Sequence, residues 1–299
     1  MKDFSISIQV NNFDDLKEAS NSACDDIRFG SEFCEQLLPS LTELEKGYEI
    51  TKGCGKNFTY VTPRLSNRGI EKVREHLEFL NKKGSLKLVV NDLGTLNIIK
   101  DFHNLYLILG RQLMRVPARS PFVNDGVWSP VIKERGSLFS KKWFKKIFSS
   151  TSLNYVRTIE FYRSLGVRGA DFDWIKSIFP SLKDLLKAGI TPYLYLHLVP
   201  VTVTRRCHTA RFFGERDPEK CSRPCMKNAF FLRNDALNLK MFLHGNAVFK
   251  LIPPDNMDFE VLKREGIENL ILTISPITGI DKKKKIDDFI LYLKQIMEK

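Results

Sequence analysis

The chain has 299 residues, 43% of them apolar and 27% charged, and lysine plus arginine outnumber the acids 47 to 35 for a net charge of +12. This composition excludes a disordered tail, and no run of apolar residues reaches the 18 or so that a spanning helix needs. The opening MKDFSISIQV lacks the basic-then-apolar pattern of a signal peptide, so a cytoplasmic setting is expected, peripheral if a membrane is involved, with the six cysteines as reduced thiols or metal ligands.

Short β-rich runs alternate with amphipathic helical runs. The pattern predicts the α/β class, a TIM-like (β/α) barrel forming one domain over 1–299. The strands are expected at Ser5–Val10, Asp26–Gly30, Asn57–Val61, Leu86–Val90, Leu105–Leu109, Val167–Phe172, Tyr193–Val199 and Leu270–Ile274. Helices are expected around Asp14–Ser20, Asn67–Lys83, Asp92–Ile99, Leu153–Ser164 and Asp281–Met297. The second carries Ile70, Val73, Leu77 and Leu80 on one face; the last carries Ile286, Phe289, Ile290, Leu293 and Ile296. The run Lys282–Lys285 reads as a solvated first turn.

Two stretches break the rhythm. Segment 110–150, inserted after the fifth strand, holds Pro117, Pro121 and Pro130. It also holds a basic amphipathic helix in which Leu138, Phe139, Trp143, Phe144, Ile147 and Phe148 interleave with Lys141, Lys142, Lys145 and Lys146. Such a helix either packs on the barrel with its lysines outward or serves a membrane, a partner or a nucleic acid.

The second break, 202–238, contains Cys207, Cys221 and Cys225. Three thiols in one loop of a chain expected in a reducing compartment suggest a metal site, with zinc and an iron–sulfur cluster equally compatible with the spacing. A fourth ligand is best supplied by Cys34, since both loops follow strands and so share the C-terminal face of a parallel barrel. Cys24 precedes its strand and reads as a buried structural thiol. Cys54 is a weak substitute, and His208 is awkwardly adjacent to Cys207. Arg205, Arg206, Arg211 and Arg223 bring positive charge that would offset thiolates or bind an anion.

Other chemistry has little support: there is no HExxH, no GxSxG and no complete phosphate loop. Asp92, Asp171 and Asp173 fall at strand ends on the productive rim, where helix capping is the competing role. His197, inside the expected seventh strand, reads as a core histidine.

The box Arg206–Arg211 with its R-C-x-T-A-R spacing, the following Cys221 and Cys225, and Gly30–Cys34 at a strand end resemble the collagenase-like U32 peptidase family. The nearest likeness is to its small iron–sulfur members serving oxygen-independent ubiquinone biosynthesis. VNDLGTLN at Val90–Asn97, HLVP before the cysteine loop and Ile274–Pro276 add to the likeness. The resemblance implies a barrel with a 4Fe-4S cluster on Cys34, Cys207, Cys221 and Cys225, with Arg206, Thr209 and Arg211 in its surroundings. It further implies hydroxylation of an aromatic, ubiquinone-type ring without molecular oxygen, as one subunit of a heterodimer with a larger homologous partner. A lipidic quinone precursor would be the substrate, and peptidase activity is not expected. Related members hydroxylate tRNA or rRNA bases, which keeps RNA as an alternative partner; a zinc-stabilised scaffold without chemistry is the other.

Overall fold

The structure, a computed structural model, describes residues 4–124, 127–128, 141–253, 257–278 and 283–298. The first part alternates regularly: β1 (Ser5–Val10), α1 (Phe13–Ser20), β2 (Asp26–Gly30), α2 (Leu41–Gly53), β3 (Asn57–Thr62), α3 (Asn67–Lys82), β4 (Leu86–Val90), α4 (Leu93–Ile98) and β5 (Leu105–Leu109). A short ribbon, β6 (Val123–Asn124) and β7 (Val127–Trp128), is followed by α5 (Lys141–Phe148) and α6 (Val156–Ser164). Then come β8 (Val167–Asp173), α7 (Phe179–Lys187) and β9 (Thr191–Tyr195). An excursion follows, made of β10 (Leu198–Val203), α8 (His208–Phe212), β11 (Phe230–Asn234), β12 (Leu239–His244) and β13 (Ala247–Leu251). The chain returns through α9 (Phe259–Glu265), β14 (Asn269–Thr273) and α10 (Lys283–Glu298).

Strands β1, β2, β3, β4, β5, β8, β9 and β14 pair in parallel and close into a barrel, which is the TIM-type α/β architecture that the alternation predicts. Side chains sort by the two-residue period of a strand. In β2, Ile27 and Phe29 join the main core between strands and helices, while Asp26 and Arg28 alternate with them. A separate apolar cluster of Val61, Val89, Ile108, Tyr193, Tyr195 and Ile271 occupies the other face of the strands, the barrel interior. At the end of β2, Gly30 has φ of +126°, and a Cβ there would lie 2.2 Å from the Val61 carbonyl oxygen, so only glycine lets the chain turn out of the barrel here.

The expected seventh strand is two strands. β9 stops at Tyr195, His197 adopts a left-handed φ of 69°, and Leu198–Val203 pairs antiparallel with β13 in a second sheet of order β10-β13-β12-β11. The continuous apolar run hides this corner, because both halves are buried. His197 therefore lies at the bend rather than in a strand; its ring packs on Phe289, and Nδ1 donates to the Ile252 carbonyl (3.3 Å).

Helices α2, α7 and α9 and the second sheet were not anticipated. Helix α2 buries Leu44, Gly47, Tyr48 and Thr51, a stripe short of large aliphatics, and is started instead by a capping box of Ser40 and Glu43. In α5, Phe148 is buried and Phe144 and Ile147 pack on the main core, with Lys142, Lys145 and Lys146 exposed. Pro130, Leu138, Phe139 and Lys282 lie outside the described residues. No helix among the described residues is long and apolar enough to cross a membrane.

Candidate thiol site at the barrel mouth

Each cysteine expected to bind metal sits where a chain segment turns. Cys34 caps the 3-10 turn Glu35–Leu37 just past β2, and its amide donates to Ser31 Oγ (3.1 Å). Cys207 caps α8, its Sγ accepting from the Ala210 amide (3.4 Å). Cys221 follows the 3-10 turn Pro218–Lys220. Cys225 lies in the turn Pro224–Met226 behind Arg223, whose φ is 61°. All four line one cavity of about 680 Å³. Cys34 and Cys225 also border a smaller chamber of about 40 Å³ deeper in the barrel mouth, with Gln9, Glu32, Arg111 and Thr273 in its wall, room for a few waters.

The thiols sense one another. Burial first, then the neighbouring Cys207 and Cys221, push the Cys34 thiol up to about 11. Burial and then Cys34, Cys207 and Cys221 push Cys225 up to about 12. Cys221 is raised as well, by burial and by Glu215. Cys34, Cys221 and Cys225 therefore hold their protons more tightly than a free thiol unless a cation shares the site. Among the described residues, no three His, Cys, Asp or Glu side chains converge tightly enough to hold a single metal ion.

Cys24 is buried on the far side, its Sγ against the Ala19 carbonyl (3.5 Å). Cys54 is exposed at the C-terminal end of α2. Neither lines the cavity.

Six arginines also line it: Arg64, Arg205, Arg206, Arg211, Arg216 and Arg223. Its four acids are occupied locally. Glu35 accepts from Ser66, Glu215 from Ser222, Asp217 from the Glu219 amide, and Glu219 pairs with Arg68. None of the six arginines has an ion pair among the described residues, so the cavity presents unspent positive charge. Thr209 is fully buried beside Cys207, with its hydroxyl lacking a protein partner.

The three aspartates part ways. Asp92 caps α4, accepting from the Gly94 (2.6 Å) and Thr95 (3.3 Å) amides, and lines neither cavity. Asp171 and Asp173 cap nothing, contrary to expectation; both are buried in ion pairs. Arg28 Nη2 donates to both oxygens of Asp171 (2.8 and 2.9 Å). Burial raises the Asp171 carboxyl to about 6 against the pull of Arg28. Arg111 grips Glu32 with two nitrogens (2.7 and 2.6 Å) and Asp173 with a third (2.7 Å), and Arg119 donates to Asp173 from the other side (2.5 Å). Burial alone would lower the Arg111 guanidinium, but Glu32 and Asp173 outweigh it and hold it raised. Gln112 donates to the Glu32 carbonyl as well, so the turn leading to Cys34 is pinned from below. Arg28, Glu32, Arg111 and Arg119 were missed in the sequence. The available signal was two-residue alternation of charge with apolar residues, in DIRFG and in ADFD.

No family model matches the chain, and no curated protein does. Solved structures of similar shape include a dihydropteroate synthase from Thermus thermophilus (10% identity over 98% of this chain and 94% of that one, TM-score 0.42). The U32 peptidase Mk0906 is another (13% identity, 92% of this chain and 94% of that one, TM-score 0.42). An orotidine 5'-monophosphate decarboxylase from Methanocaldococcus jannaschii is a third (10% identity, 96% of this chain and 97% of that one, TM-score 0.45). These are likenesses of barrel architecture and bring no function with them.

Proposed function

We propose that this chain is an iron–sulfur protein in which Cys34, Cys207, Cys221 and Cys225 hold a 4Fe-4S cluster at the mouth of the barrel. The observation that carries the reading is the set of four thiols, from four separate turns, around one cavity. A 4Fe-4S cluster is several ångströms across and uses four thiolates placed around it. The unpaired arginines suit the same reading, because a thiolate-bound cluster is anionic. The donor set fits the group: four thiols and no competing carboxylate free of a local partner.

A bound cluster would supply one-electron chemistry or a Lewis-acid iron at this mouth. The chain's own contribution is to hold the thiols at the rim of the deeper chamber. Arg206 and Arg211 would attract an anionic group to the rim. With the resemblance to the U32 family, the activity we propose is oxygen-independent hydroxylation of an aromatic, ubiquinone-type ring. The chain would act like UbiV beside a larger UbiU-like subunit, in the cytoplasm or at a membrane surface. The six arginines around the cavity favour a second reading, hydroxylation of an RNA base, in which they would meet phosphates.

The deciding experiment is iron, acid-labile sulfide and zinc analysis with an absorption spectrum on protein purified without oxygen. About four irons and four sulfides per chain and a broad band near 400 nm support the reading; one zinc and no sulfide refute it. Salt-dependent binding of tRNA or rRNA then separates the two substrates.

A further inference from the structure

The thiols are delivered by segments far apart in the chain, yet one hairpin turn touches the segments of three of them. The turn joins β12 to β13 and consists of His244, Gly245 and Asn246. Asn246 Nδ2 donates to the carbonyl of Phe33, next to Cys34 (2.8 Å), and to that of Thr204, ahead of Cys207 (2.9 Å). The Asn246 carbonyl accepts from the Thr204 amide (2.9 Å), and the Gly245 carbonyl from the Thr209 amide on the other side of Cys207 (3.3 Å). His244 Nε2 donates to the carbonyl of Cys225 itself (2.8 Å). Gly245, with φ of +61°, lies directly over that cysteine: a Cβ there would meet Cys225 Cβ at 3.7 Å and Sγ at 3.8 Å.

We infer that the His244–Asn246 turn is the positioning element of the thiol site, fixing Cys34, Cys207 and Cys225 relative to one another before any group binds. Asparagine suits the centre of such a clamp because its amide nitrogen offers two donors in one plane, and here both are used on carbonyls of different segments. Without that nitrogen, two backbone carbonyls at the junction lose their partner, and the polar tie left between the Cys34 turn and the excursion is the indirect one from Glu32 through Arg111 to the Leu198 carbonyl. The side-chain hydrogen bonds of His244 and Asn246 all go to backbone carbonyls, so they act through the backbone of the thiol-bearing segments. The inference takes its purpose from the iron–sulfur reading, but its geometry is independent of it.

The test uses the full chain, metal-free and reduced, with each cysteine's alkylation rate by iodoacetamide followed by mass spectrometry. Cys24, buried outside the site, reports the global fold in the same sample. Asn246→Ala and Asn246→Asp are expected to speed labelling of Cys34 and Cys207 roughly tenfold, the size expected for one lost buried hydrogen bond, with Cys24 still protected. His244→Leu is expected to speed labelling of Cys225 and leave Cys34 at its original rate. If Asn246→Ala exposes Cys24, the Asn246→Asp and His244→Leu patterns decide. Unchanged rates in Asn246→Asp, or uniform acceleration in His244→Leu, overturn the inference. Iron and sulfide uptake by the unsubstituted chain is the separate arm: its failure removes the cluster while the labelling pattern would still establish the clamp.

Discussion

The guanidinium carbon of Arg111 lies 3.5 Å from the centroid of the Tyr195 ring, so the cation rests on an aromatic face while its nitrogens serve Glu32, Asp173 and the Leu198 carbonyl. All three nitrogens of this buried cation are engaged by protein. Arg111→Met strips Glu32 of its cation and leaves Asp173 with Arg119 alone, and leaving a buried charge uncompensated costs about 3–5 kcal/mol. Equilibrium urea unfolding of the variant checks this. A loss below about 1 kcal/mol, the range of exposed pairs, would mean the acids had simply taken up protons.

A pH effect is expected from His76. The Tyr60 hydroxyl and His76 Nδ1 share a hydrogen bond (2.6 Å), Nε2 has no partner among the described residues, and burial followed by the Lys72 charge lowers the ring to about 4. The unfolded chain binds a proton near the ordinary 6.5 that the folded chain refuses. Stability is therefore complete above about pH 6.5 and falls progressively toward pH 4, by roughly 3 kcal/mol in total. Urea midpoints across that window should show the slope, and His76→Phe should flatten it. An unchanged slope in the variant assigns the effect to other groups.

The ligand assignment separates the cysteines cleanly. Replacing Cys34, Cys207, Cys221 or Cys225 by Ala should abolish iron and sulfide binding, while Cys24→Ala should bind as the original does at some cost in stability. Cys54→Ala should change neither. Iron analysis after anaerobic reconstitution is the measurement, and equal loss at Cys24 would overturn the assignment.

Helix α5 makes opposite predictions for its two faces. Phe148→Ala opens a cavity against the core and should cost about 3–5 kcal/mol. Lys145→Gln with Lys146→Gln should stay within about 0.5 kcal/mol, as for other exposed positions. Thermal unfolding distinguishes them; a large loss from the lysine pair would show that they make contacts beyond solvent.

The barrel was legible because its signals are local. LYLIL and LKLVV stand between turn residues, and each is a strand with the expected bounds. The thiols were legible because cysteine is scarce and their spacing is tight. Arg28, Glu32 and Arg111 were hidden, since their meaning lies in partners on other strands: Arg111 and Glu32 meet only after the barrel closes. Asn246 was hidden more deeply. A G-N pair in a hairpin has a sufficient local reason to be there, and nothing in its neighbourhood announces that the amide reaches Phe33.

The position of the antiparallel excursion between β9 and β14 sets an order of assembly. A ribosome releases Cys34 early, with the second strand, and Cys207, Cys221, Cys225 and the β12–β13 turn only in the last third of the chain. The strand that joins β9 to β1 comes later still. Barrel closure and completion of the thiol ring thus fall within the same late stretch of synthesis. The nascent chain carries a lone Cys34 for most of that time, apart from the three thiols that share its cavity in the finished fold.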